Sequence, residues 1–199
     1  MNLEEFRNPG KEYRGAPFWS WNDDLAEVEL RRQVRLMKDA GLGGFFMHSR
    51  IGLITPYISS DRKTLSEEWM KCIKAAVDEA KKTDMLAYMY DEDRWPSGFA
   101  GGIIPAKGKR YKMKVLECEE VNGKPKFKVR IDDNVSWYNN YSYIDTLNRD
   151  AVLEFIKSTY EAYYKTVGDE FGKVVPAIFT DEPNYLQFLN ANPWKYYIP

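Results

Sequence analysis

The chain is poor in the residues that most often announce a chemistry. It has one histidine and two cysteines among 199 residues. Cys72 and Cys118 stand outside any C-x-x-C, and one histidine cannot complete a zinc pattern with them. Two isolated thiols fit a reducing compartment. No apolar run reaches about 18 residues, so no transmembrane helix is expected. The first stretch, MNLEEFRNPGKEYRG, has no apolar core of a signal peptide, so the expectation is a cytoplasmic protein, or a secreted one whose leader has been removed. Charge of one sign is also missing. Lys+Arg number 29 against 30 Asp+Glu, a net charge of -1, which gives no electrostatic case for a nucleic acid or an anionic membrane as partner. There is no P-loop, dinucleotide fingerprint or nucleophile elbow, and no repeat or low-complexity tract.

What is present is aromatic and periodic. Phe, Trp and Tyr make up 15% of the chain, many of them placed where loops should follow strands. APFWSWN reads as a first strand, with Asn22 or Asp23 capping a helix that runs to about Ala40. Leu25, Val28, Leu30, Val34, Leu36 and Met37 form its stripe, and Gly41 and Gly43 end it. GGFFMHSR reads as a buried strand. Ser66 caps the next helix, which has Glu67 and Glu68 in its first turn and extends to about Lys82. MLAYMYDED is a third strand. WPSGFAGGIIPAKGKR reads as a Gly/Pro-rich loop, followed from Met113 to Ile131 by a β-hairpin turning on Asn122-Gly123. YSYIDTLN reads as a fourth strand, near Ile144. A helix from Arg149 to about Val167 and a fifth strand, VPAIFTDEP, complete the pattern.

Strands alternating with helices signal a parallel sheet with crossover helices. The expected fold is α/β, a partial (β/α)₈ TIM-type barrel of about five βα units. It forms a single domain over residues 1–199, with the loop and hairpin inserted at about 97–140. A closed barrel needs eight units and typically ~250 residues. The remaining barrel half, or self-association, is therefore expected to complete the sheet, because bare parallel edges aggregate.

The chemistry-bearing residues sit at strand ends. YDEDRWPSGFAGG places Asp91, Glu92 and Asp93 directly after an apolar strand. Three consecutive acids are costly to bury together, so they are expected to face a solvated cleft, to pair with Arg94, or to hold a cation. Trp95-Pro96 would form a stiff aromatic wall, and the glycines would let the backbone approach a ligand. FTDEPNY places Asp181 and Glu182 in the same position on another strand, with Pro183 fixing the chain beyond. The bland alternatives are a solvated acidic turn for the first motif and helix-start charges for the second. The architecture favours function, since βα barrels keep their catalytic groups at the carboxyl ends of strands. Two carboxylates there are the minimum for acid-catalysed glycosidic cleavage. MHSR ends its strand with His48 and Arg50, suited to binding a sugar hydroxyl, although a lone histidine is more often structural. Trp19 and Trp21 share one side of the first strand; if that side is the barrel interior, Trp21 lies near the mouth. A metal-dependent alternative uses Asp91, Asp93 and Asp181 as ligands, with a hard cation such as calcium favoured over zinc.

At these residues the chain resembles a known family. RGAPFWSWN, GLGGFFMHSRIGLITPY, EEWM, YDEDRWPSGFAGG and IFTDEPNY, in that order, look like the N-terminal part of the barrel domain of α-L-rhamnosidases of glycoside hydrolase family 106 and their relatives. The similarity runs from about Arg14 to Tyr185 and is weakest from Lys107 to Asn140. The resemblance implies an inverting hydrolase on a (β/α)₈ barrel, with a calcium ion near the site. It also implies two catalytic glutamates, which match Glu92 and Glu182 here. The substrate would be a carbohydrate ending in a deoxyhexose such as rhamnose. The chain would then be a fragment of a larger enzyme, unable to act alone. Glutamine at either position would cut hydrolysis and leave the fold intact. The alternative is a non-catalytic sugar-binding or interaction module that kept the cleft.

Overall fold

The computed structural model describes residues 3–131, 133–183 and 197–198. Its helices are α1 (Leu3–Arg7), α2 (Glu27–Asp39), α3 (Glu67–Lys82), α4 (Ile103–Ala106), α5 (Arg149–Phe155) and α6 (Glu161–Val167). Its strands are β1 (Phe18–Trp21), β2 (Gly44–Ser49), β3 (Leu86–Tyr90), β4 (Val115–Val121), β5 (Lys124–Arg130), β6 (Ile178–Phe179) and β7 (Tyr197–Ile198). Strands β1, β2, β3 and β6 form one parallel sheet in that order. Among the described residues this sheet has four strands and does not close on itself.

The two sides of the sheet differ. Trp21, Phe45, Met47, Ala87 and Met89 join the core with Leu30 and Val34 of α2 and Trp69 and Ile73 of α3. The other side carries a row of rings. Phe18 lies 5.0 Å from Phe46, which stacks on Tyr88 at 4.4 Å, and Phe179 lies 5.2 Å from Phe18. Strands apolar on both sides are what a parallel sheet produces. Helix α3 begins where expected: the Ser66 hydroxyl accepts the Trp69 N–H at 3.0 Å. Arg31 and Arg35 of α2 meet Glu79 of α3 at 3.6 and 2.6 Å, tying the two crossover helices together.

Three expectations need correction. Helix α2 starts at Glu27, not at Asn22 or Asp23, with Ala26 at the cap. Asp23 accepts the N–H of Asp24, and Asp24 accepts the Thr55 hydroxyl, so both acids serve the loop before the helix. Of its proposed stripe, Leu30 and Val34 are buried, while Val28 and Leu36 face solvent. The strand near Ile144 is no part of the parallel sheet: Ile144 forms one antiparallel bridge with Lys112, leaving four parallel strands where five were expected. Finally, GFAGGIIPA is a buried helical turn leading into α4, not an open loop.

The hairpin is as expected. Strands β4 and β5 pair antiparallel around Asn122 and Gly123, whose φ angles of 53° and 73° suit a tight turn. Its sheet is completed by β7 and shares no strand with the parallel sheet. From Arg149 to Val167 the chain runs as one helical column, interrupted by a π-helical segment at Ile156–Tyr160. No helix of the described residues is long and apolar enough to cross a membrane. Both cysteines are free thiols.

Candidate active site

Because β1, β2, β3 and β6 are parallel, the residues that follow each strand gather at one end of the sheet. Arg50 follows β2, Asp91 to Trp95 follow β3, and Thr180 to Glu182 follow β6. The strand-end residues predicted from sequence therefore share one end of the fold, but their side chains separate into a buried layer and an open one.

Glu92 belongs to the buried layer and is wholly enclosed. Its Oε2 accepts the N–H groups of Gly98, Phe99 and Ala100 at 3.0, 2.9 and 2.7 Å. Its Oε1 accepts those of Gly101 at 2.5 Å and Asp93 at 2.9 Å. Burial, and then the neighbouring charges of Asp91 and Asp93, push the carboxyl pKa up to about 8, against the amides of Asp93 and Gly101, whereas the donor geometry favours the anion. The geometry decides between them. All five groups bonded to the carboxylate are donors, so a proton on either oxygen would meet an N–H and find no acceptor. Glu92 is held as an anion and closes the 97–101 turn upon itself. The wrapped chain needs special backbone: Gly98 has φ +138°, and a Cβ there would lie 2.5 Å from the Tyr143 hydroxyl. The expectation that Glu92 opens on a cleft fails for this reason.

Asp91 is also fully buried, and its partners are hydroxyls. Oδ1 accepts Ser97, while Oδ2 accepts Tyr160 at 2.7 Å and Thr180 at 2.6 Å. Burial raises its pKa, and these three hydroxyls counter it. Tyr160 is the last residue of the π segment. Ser97 and Asp181 then exchange contacts, the Ser97 N–H to the Asp181 carbonyl at 2.9 Å and the Asp181 N–H to the Ser97 hydroxyl at 2.8 Å. The Asp181 carboxylate accepts Tyr90 Oη at 2.8 Å. So two of the three consecutive acids, Asp91 and Glu92, are buried, each satisfied by its own set of donors, and the third, Asp93, stays half-buried. Asp91 has no surface left for a substrate.

His48 is 5% exposed, packed edge-on to Tyr90 with ring centres 3.9 Å apart, and its Nε2 lacks a hydrogen-bond partner. Burial, then the charge of Arg50, lowers its pKa to about 4, so the ring is neutral at pH 7. Trp21 is not at a mouth: it lies on the helix side of the sheet, 5.0 Å from Trp69. Trp95 is half-buried, precedes Pro96 through a cis bond, and meets Trp137 edge-on.

The open layer is a cleft of about 490 Å³ whose walls include Arg50, Asp93, Arg94 and Asn139. Asp93 accepts Ser49 Oγ at 3.2 Å and Asn139 Nδ2 at 2.9 Å, with Arg94 at 3.6 Å. Asn139, at φ +55°, also donates to the Gly101 carbonyl at 2.9 Å, joining this wall to the turn built on Glu92. Glu182 is exposed at φ +40° and lies outside the cleft lining. Residues Asn184 and Tyr185 of its motif fall outside the described residues.

Sequence reasoning passed over Ser97, Asn139, Tyr160 and Thr180. Of these, only Asn139-Asn140 in YNNYS carried a signal, since asparagine tolerates the positive φ both adopt. Asp91, Asp93 and Asp181 are each spent on different protein donors, and among the described residues no group of three or more His, Cys, Asp or Glu converges.

No protein-family model matches the chain, and no curated protein matches it. Among solved structures it is similar to a rhamnosidase from Novosphingobium sp. PP1Y, at 23% identity and a TM-score of 0.45 over 59% of this chain. The chain spans 11% of that protein's length.

Proposed function

We propose that this chain is the N-terminal barrel portion of a glycoside hydrolase acting on a terminal deoxyhexose, an α-L-rhamnoside-like substrate, by inversion. One observation carries the reading: four adjacent parallel strands deliver His48, Arg50, an acidic run and the Asp181–Glu182 pair to a single end, beside a cleft within the range of small-molecule sites. In an inverting reaction one carboxylic acid gives its proton to the leaving oxygen. The other, as carboxylate, takes a proton from the water that attacks the opposite face. Exposed Glu182 is the glutamate available for such work, with Asp93 the carboxylate in the cleft wall. Glu92 builds that wall.

A second reading is a sugar-binding module without turnover. It is favoured by the enclosure of Glu92, which withdraws one of the two expected catalytic glutamates. Release of chromophore from an aryl α-L-rhamnoside, by the longest product of the reading frame containing this chain, separates the two. Hydrolysis that falls 10²- to 10⁴-fold in Glu182→Gln supports the enzyme. Rhamnose binding with no hydrolysis supports the module. Hydrolysis undiminished in Glu182→Gln removes Glu182 from the mechanism.

A further inference from the structure

The cleft is strongly one-sided in charge, although the chain as a whole carries -1. Three guanidinium groups, of Arg50, Arg62 and Arg94, face it against one carboxylate, that of Asp93. Arg94 is compensated: it lies 3.6 Å from Asp93 and donates to the Asn139 side-chain oxygen. Arg62 is held by a neutral group, its guanidinium 5.7 Å over the Tyr141 ring and 3.2 Å from that residue's hydroxyl. Arg50 is exposed; its backbone bonds Trp21 and Leu53, but its guanidinium meets no hydrogen-bond or ion-pair partner among the described residues. Two positive charges thus face a concave site with no counter-ion among the described residues. A concave, low-dielectric wall concentrates such a field and draws in the opposite charge.

The rest of the lining narrows the chemistry. Ile51 and Ile54 stand beside Arg50 on the same wall, 68% and 66% exposed. Large apolar side chains left open next to free guanidinium groups suit a ligand with an apolar face and an anionic edge. A bare inorganic anion has no use for the isoleucines, and a neutral sugar leaves the arginines uncompensated. A uronic acid has both parts: a C–H face and a planar carboxylate that the arginine fork matches with two parallel hydrogen bonds.

Resting on the glycosidase reading above, we propose that the cleft binds the acidic sugar to which the terminal deoxyhexose is joined, with Arg50 as the residue that recognises its carboxylate. The test is a titration of the protein with D-glucuronate, D-glucose, L-rhamnose and inorganic phosphate, at low and at 0.5 M salt. The expected result is glucuronate binding at least about tenfold tighter than glucose, a preference weakened by salt and abolished in Arg50→Gln. The Arg50 guanidinium makes no described hydrogen bond or ion pair, and its charge only opposes protonation of His48, so this variant should keep the wild-type denaturation midpoint at pH 7, where that ring is neutral, which a parallel melt checks. Equal affinity for glucuronate and glucose overturns the inference while leaving the carbohydrate reading intact. So does a preference that survives in Arg50→Gln. Phosphate binding as tightly as glucuronate also overturns it, by showing a general anion site. If phosphate binds and no sugar does, the carbohydrate reading falls as well.

Discussion

Replacing Glu92 with glutamine separates a catalytic glutamate from a structural one. A catalytic glutamate accepts the exchange with its fold intact. Here the carboxylate receives five backbone N–H groups, and glutamine has only one oxygen to offer them. In the best orientation that oxygen keeps Gly98, Phe99 and Ala100, and the new NH₂ is set against the donors of Asp93 and Gly101. Two buried N–H groups lose their acceptor, at about 1–3 kcal/mol each. The three surviving bonds change from charge-assisted to neutral, losing roughly 1 kcal/mol each. Against this, removing a buried charge returns several kcal/mol of desolvation. The losses outweigh that return, leaving a net loss of a few kcal/mol, the direction expected for a broken buried network. For a chain of this size that lowers Tm by on the order of 10 °C. The assay is urea and thermal denaturation of wild type and Glu92→Gln, with hydrogen exchange on the amides of 98–101. Wild-type midpoints and undiminished protection of those amides would refute the structural role and return Glu92 to the list of catalytic candidates.

Other expectations follow from the same layer. His48 has a folded pKa of about 4 against an ordinary 6.5, so the unfolded chain takes up its proton first as pH falls. Its contribution is full above pH 6.5 and lost toward pH 4, by about 3 kcal/mol; urea midpoints at pH 7 and 4.5 should differ less in His48→Gln than in wild type. Tyr160→Phe deletes one of the three hydroxyls on Asp91 and should cost about 1–3 kcal/mol by denaturation, whereas a midpoint within error of wild type would show that another group takes its place. Gly98→Ala forces a Cβ into the Tyr143 hydroxyl at a φ of +138° and should lower Tm clearly, unlike Gly123→Ala, where no atom lies within 4 Å and only the turn's φ resists.

The parts of the fold that were legible in sequence are those decided locally. Apolar runs marked β2 and β3, Ser66 marked the start of α3, and Asn122-Gly123 marked the hairpin. YSYI was misread because a short apolar run does not say whether it pairs with a parallel sheet or crosses back over Lys112. The sidedness of Trp21 was equally open: alternation paired it with Trp19 but could not say which side held the helices. At the site, position along the strand was legible and exposure was not. Acids after β3 were visible as acids; that Asp91 would be met by hydroxyls from residues 97, 160 and 180 depends on elements far apart in the chain. The glycines of GFAGG did mark a close backbone approach to a carboxylate. That carboxylate is the chain's own Glu92.

The π segment gives the Asp91 contact an unusual genetic address. An α-helix turns by about 100° per residue, so a surplus residue in a plain helix would rotate everything beyond it by that amount; the wider i→i+5 turn of the π segment takes the residue up and leaves the faces on either side in phase. Ala151 and Phe155 before it and Tyr163 and Val167 beyond it are accordingly all buried. Tyr160, the last residue of the segment, is the one that reaches Asp91. Deleting one residue of Ile156–Tyr160 would restore a plain helix with both flanking faces still in register, and would reset only the stretch that carries Tyr160. Between α5 and α6 the column therefore holds one residue more than its packing requires, placed where the chain meets Asp91.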